Sequence, residues 1–210
     1  KIKKIIYIWM LKNSKYNQIT WETSALSARI ISWVLNIDFI LNNSTFDFRK
    51  NFLGCIISQT NHLKRNIRFE KDFAKKLEIL TSIILTGLVF KEYEDNYKLG
   101  INELESLIKK NFNSEGFPLS RNPNDLIFFA KYLILCKEAI KDSQKYVPEF
   151  LDDIIEKNLV CLNFLKTPNG QLPLFNGSTI TDLSQIEKYL ENAKRKKSLN
   201  KNIGGLFKIK

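Results

Sequence analysis

The sequence predicts an all-α fold, and three observations carry that prediction. Apolar residues recur at i, i+3, i+4 and i+7 through seven separate segments. Alternating apolar and polar runs of useful length are absent until Ile203-Gly204-Gly205-Leu206-Phe207-Lys208-Ile209. The joints between segments are short and carry helix start signals, as in an array of packed helices.

Taken in order, the first segment runs from Trp21 to Leu41, with Leu26, Ile30, Trp33, Val34, Ile37 and Ile40 on one stripe and Thr20 as its start signal. Phe48, Phe52, Cys55, Ile56, Gln59 and Leu63 mark the second, opened by Ser44-Thr45. Phe73, Leu77, Leu80, Ile84 and Leu88 mark the third, and Ile101, Leu104, Leu107 and Ile108 a shorter fourth. Asn124 to Ile140 is the fifth, with Asn122-Pro123 as cap and first turn. Pro148 to Leu165 and Asp182 to Lys194 complete the set. No sequence repeat links these segments, so a solenoid of equal repeats finds no support.

Composition narrows the function classes. The 210 residues are 44% hydrophobic and 26% charged, the balance of a globular chain. The net charge of +11 sits at the ends. Residues 1–16 carry five Lys and no acid, and residues 194–210 carry seven Lys or Arg and no acid. Residues 17–193 balance 21 basic against 22 acidic side chains, so a nucleic-acid-binding patch is disfavoured. Lys outnumbers Arg 27 to 6, a bias that reads as codon usage more than as a surface. No run of 18 apolar residues occurs, so no membrane span is expected. The opening Lys1 to Leu11 has a basic start and an apolar run but no small-residue cleavage site, which argues against a signal peptide. The missing initiator Met hints at an excerpt of a longer protein, whose location the chain leaves open.

Chemistry is read largely by elimination. Cys55, Cys136 and Cys161 form no metal or redox motif and sit in apolar runs, as buried thiols do. The single histidine, His62, has no ligand partners at zinc spacing. No phosphate loop, nucleophile elbow or His-Glu-x-x-His occurs, and no cofactor or metal is called for. The carboxylate pairs Asp152-Asp153 and Glu103/Glu105 lie on polar helix faces. Two loops stand out: Asn113 to Pro123 and Thr167 to Gly177 together hold four of the five Pro and three of the eight Gly. They are either plain connectors or binding loops on a rigid scaffold.

Arginine is scarce enough to be informative. Arg121 stands in the first loop, where its planar fork suits a bound carboxylate or sulfate, or else an internal ion pair. Arg29 precedes Trp33 by one turn, a spacing that suits either an acidic sugar or a clamp between helices.

The series Trp21…Arg29-Ile30-Ile31-Ser32-Trp33, Gln59…His62-Leu63-Lys64-Arg65, Gly87-Leu88, Gly116…Ser120-Arg121-Asn122-Pro123 and Asn169-Gly170…Leu172…Phe175-Asn176-Gly177 resembles the heparinase II/III-like family, in particular its proteobacterial branch. The resemblance covers residues 5–207. It implies an incomplete (α/α) toroid of antiparallel helices over residues 1–197. Residues 198–210 would then be a linker and the first strand of a β-sandwich domain. It also implies a lyase that cleaves an acidic polysaccharide, uronic-acid or glycosaminoglycan-like, or a cell-envelope glycan, by β-elimination. Arg121, Asn122 and Asn176 are the expected substrate-binding residues, with Trp33, Arg29 and Gln59 beside them. The departures are specific. The family's Asn-His falls on Ala74-Lys75, its Tyr-His on Asp125-Leu126, and its loop His on Pro118. These losses keep open a toroid that binds or scaffolds a glycan without cleaving it. A helical protein-interaction module is a third reading, and it would show a large apolar patch.

Overall fold

The computed structural model describes residues 1–194, 202, 203 and 205–207. Among them the fold is all-α, with nine α-helices and two strands of two residues each. The chain divides into two compact units, Lys1–Glu103 and Leu104–Lys210.

The first unit is built on α1 (Ile2–Asn13), α2 (Thr23–Leu35), α3 (Ile37–Leu41), α4 (Phe46–Asn66), α5 (Phe73–Val89) and the start of α6 (Glu94–Asn111). Helix α5 is its centre, packed by α2 and α4. An unbroken run from Ile79 to Gly87 is buried, so this helix is covered on every side rather than along one stripe. Its hydroxyls are satisfied internally: Thr81 Oγ1 donates to the Leu77 carbonyl at 2.9 Å and Thr86 Oγ1 to the Ser82 carbonyl at 3.0 Å. Ser82 Oγ reaches across to the Ser27 carbonyl on α2 at 3.2 Å. Gly87 lets the next helix close in, because a Cβ there would lie 2.2 Å from the Tyr97 backbone nitrogen.

The helix caps explain where the sequence reading and the structure part. Thr45 caps α4 as expected, its hydroxyl accepting from the Phe48 N–H at 3.3 Å. Thr20 does not cap α2. Glu22 does, accepting from the Ala25 N–H at 3.0 Å, because its longer side chain reaches back over the first turn. The single helix expected over Trp21 to Leu41 is broken at Asn36 into α2 and α3; Asn36 turns its amide back to the Ser32 carbonyl at 2.8 Å. The basic opening segment is a helix too, α1, holding Ile6 and Met10 inward.

The second unit contains the end of α6, then α7 (Pro123–Asp142), α8 (Glu149–Leu165) and α9 (Glu187–Lys194). Helix α8 packs between α7 and α9. Phe129, Leu133, Cys136, Leu151, Cys161 and Leu162 are fully buried between them. Asn202–Ile203 and Leu206–Phe207 pair antiparallel, Asn202 opposite Phe207 and Ile203 opposite Leu206. The expected strand over Ile203 to Ile209 therefore reverses within itself; its residues 204, 208 and 209 and the expected domain boundary at 197/198 lie outside the described residues. No helix of the described residues is long and apolar enough to cross a membrane.

Candidate functional site

The two loops singled out by composition meet in the second unit. The first leaves α6 and folds on the Asn113 side chain, whose Oδ1 accepts from the N–H groups of Glu115 at 3.1 Å and Phe117 at 2.8 Å. Gly116, at φ +78°, crosses α8 so closely that a Cβ would lie 2.4 Å from the Lys157 Cβ. Phe117 then anchors the loop in the core. Beyond that anchor the chain turns at Arg121, which holds φ +54° although it is not glycine. Its N–H donates to the Pro118 carbonyl at 2.9 Å.

The second loop supplies the clamp. Asn176, itself at φ +50°, donates from Nδ2 to the Arg121 carbonyl at 3.2 Å and, at 3.5 Å, to that of Ser120. Asn124 at the start of α7 exchanges amide hydrogen bonds with the Thr179 and Thr181 hydroxyls, tying α7 to the chain just beyond the second loop. The structure thus joins Arg121 and Asn176, and Asn176 acts through the backbone of Arg121. Asn122 uses its Oδ1 to accept from the Asn124 N–H at 2.8 Å, capping α7. Ser120 Oγ donates to Asp125 Oδ2 at 2.5 Å.

The Arg121 guanidinium remains. It is exposed and makes no hydrogen bond or ion pair among the described residues. Its Nη2 lies 3.4 Å from where a Cβ on Gly205 would sit, so the hairpin turn forms one wall beside it. A rigid backbone that carries an uncommitted planar fork can accept a carboxylate or sulfate in bidentate fashion.

In the first unit, Arg29, Gln59 and Trp33 also come together, but inward. Arg29 Nε donates to Gln59 Oε1 and its Nη2 to the Thr20 carbonyl, each at 2.8 Å. The guanidinium carbon stands 4.0 Å from the ring centroid of Trp9 and 5.9 Å from that of Trp33. No carboxylate pairs with it among the described residues. Burial pulls the Arg29 pKa down to about 10, with the Cys55 thiolate form opposing that shift, so the group stays charged at neutral pH. Gln59 is fully buried and donates onward to Cys55 Sγ at 2.9 Å. Trp33 is 9% exposed and packed against Trp9 and Phe52, at centroid distances of 5.5 and 5.2 Å. The structure places it in the core rather than at the edge of a groove. Gln59 and Trp33 hold the Arg29 fork in place.

Trp9 is the partner that sequence reasoning missed, because its helix was read as a terminal basic segment. His62 lies against Trp21 and Tyr16 at 5.3 and 5.7 Å. Burial, and then the nearby Arg65, hold its pKa below the usual histidine value. The positions flagged as departures have other tasks. Ala74 and Lys75 donate their N–H groups to the Asp72 cap at 2.8 and 3.0 Å. The Lys75 ammonium pairs with Glu22 at 3.0 Å. Leu126 is fully buried.

No curated protein and no solved structure matches the sequence. A family model described as Heparinase II/III N-terminus matches residues 7–203, nearly the whole chain and both units described above. The helix pairs, the two meeting loops and the arginine they carry therefore belong to a member of the heparinase II/III N-terminus family.

Proposed function

We propose that this chain is the toroid portion of a polysaccharide lyase-like protein that binds an acidic polysaccharide, with Arg121 as the group that neutralises a uronate carboxylate or a sulfate. One observation supports the reading above the others. Arg121 is held in the left-handed region by hydrogen bonds to its own backbone, at the cost of about 1 kcal/mol or more for a non-glycine residue, while its guanidinium is left unused. The paired Asn202–Ile203 and Leu206–Phe207 are compatible with the opening of a β-sandwich domain after the helical part.

The reaction such binding serves is β-elimination. A proton on the carbon next to the uronate carboxylate is acidic only when the developing enolate charge is quenched. Arg121 supplies that quenching. A base then takes the C5 proton, the electron pair forms the C4–C5 double bond, and the glycosidic oxygen leaves with a proton from an acid. Mixing the full-length protein with a panel of uronic-acid polymers tests this, because the conjugated product absorbs in the ultraviolet. A rise that Arg121→Ala reduces supports the lyase. If absorbance stays flat across the panel, the elimination reading fails.

A second reading, a glycan-binding toroid without catalysis, is favoured by Lys75 and Leu126. Where relatives are expected to carry histidine, these residues are engaged in an ion pair and in the core. It predicts oligouronate binding that depends on Arg121 with no absorbance change.

A further inference from the structure

The first unit holds a cleft of about 350 Å³ between α1 and α4, lined by Tyr7, Met10, Ser14, Trp21, Asn51, Cys55 and Ser58, among others. Its volume falls within the range of small-molecule sites, roughly 300–1,000 Å³. On α4, Asn51, Cys55 and Ser58 follow one another at i, i+4 and i+7, so they share a face. Tyr7, Met10 and Ser14 do the same on α1 or just past its end. Trp21 closes the cleft, its ring fixed by donation from Nε1 to the Asn13 carbonyl at 3.2 Å.

The lining chemistry is specific. Although 33 basic and 22 acidic residues occur in the 210-residue chain, none of them lines this cleft. The polar groups are neutral: the side chains of Ser14, Asn51 and Ser58 make no hydrogen bond among the described residues, and Asn13 uses only its Nδ2, toward the Trp9 carbonyl at 2.9 Å. Two amphipathic rings, Tyr7 and Trp21, complete the wall. A pyranose ring matches this set, with an apolar C–H face for the aromatic surfaces and a rim of hydroxyls for the amides and alcohols. Arg29, whose field reaches Cys55, has its Nε and Nη2 engaged by Gln59 and the Thr20 carbonyl. A charged sugar would therefore lose hydration here without a direct ion pair from the cleft wall.

We propose that the α1–α4 cleft binds a neutral saccharide unit. The inference uses none of the Arg121 loop and stands whether or not that loop binds a uronate.

Cys55 reports occupancy directly. It lines the cleft and is partly exposed, whereas Cys136 and Cys161 are fully buried. Alkylation of the folded chain by N-ethylmaleimide, read site by site by mass spectrometry, is measured against increasing N-acetylglucosamine, galactose and cellobiose, with oligogalacturonate as the charged comparison. At least one neutral sugar should slow modification of Cys55 by the factor 1 + [L]/Kd, about tenfold near nine times Kd. Tryptophan fluorescence should change with the same midpoint. Asn51→Ala and Ser58→Ala alter exposed side chains and leave the fold intact. Each should raise that midpoint by about 2- to 12-fold, the loss of one neutral hydrogen bond. The proposal is overturned if no neutral sugar protects Cys55, if only the charged oligomer does, or if both variants leave the protection unchanged.

Discussion

Gly54 lies in the interior of α4 and Gly87 in the last turn of α5, and the same substitution should push them in opposite directions. Gly54 has nothing within 4 Å of a would-be Cβ. Gly54→Ala should therefore collect the helix propensity difference, stabilising the chain by about 1 kcal/mol. At Gly87 the same gain meets the Tyr97 backbone, with the nitrogen at 2.2 Å and the Cα at 2.8 Å from the new carbon. A comfortable contact needs about 3.5 Å, so α6 must retreat by roughly 1.3 Å at that point. The atoms in the way are main chain and cannot rotate aside. Overpacking of this kind costs about 1–3 kcal/mol. The propensity gain is common to both variants, so Gly87→Ala should lie about 1–3 kcal/mol below Gly54→Ala. Urea unfolding followed by tryptophan fluorescence reads the difference, since Trp9, Trp21 and Trp33 all belong to the first unit. Equal midpoints for the two variants would refute the close approach of α5 and α6.

Three further outcomes are expected. Arg121→Ala should weaken oligouronate binding by about 1–3 kcal/mol, the loss of a charged hydrogen bond, and calorimetry that finds unchanged affinity removes Arg121 from the site. Asp72→Ala leaves the Ala74 and Lys75 N–H groups without their cap and should cost about 1 kcal/mol of stability in thermal or urea unfolding. Burial, aided by Glu115, pushes the Cys161 thiol up to about 12, so the unfolded chain ionises this group first and stability should fall as pH rises from 9 toward 12. The slope approaches about 1.4 kcal/mol per pH unit for one proton, and Cys161→Ala should flatten it.

Much of this fold was legible because helices announce themselves locally. The stripe from Leu26 to Val34, the Thr45 cap and the Asn122-Pro123 start are each set by residues within one or two turns. What was not legible depends on partners distant in sequence. Nothing near Trp33 says that Trp9 and Phe52 will cover its ring, so a buried tryptophan and a sugar platform look alike in one dimension. The break at Asn36 lacks a Gly or Pro signal. The two loops were conspicuous from their Pro and Gly, yet Asn176 gave no sign that its amide would bind the Arg121 carbonyl 55 residues away. Asn122 was recognised both as a cap and as a ligand group, and the two tasks fall on different atoms: Oδ1 accepts from the Asn124 N–H, while only Nδ2 can donate to an anion.

Arg121→Gly separates strain from use. Glycine takes φ +54° without steric cost, which offsets the freedom it adds to the unfolded chain, so the variant should fold as well as the parent while losing the fork.

The enclosed position of α5 has a consequence for biogenesis. Ile79 to Leu85 is an apolar, β-prone stretch free of charge and proline, the kind of segment that aggregates when left bare. Its covering helices, α2 and α4, precede it in the chain. During synthesis they have left the ribosome by the time this stretch emerges, so the order of elements shelters the sticky helix as it appears. A circular permutant that delivers α5 first would reverse that order and expose the nascent segment to its own copies.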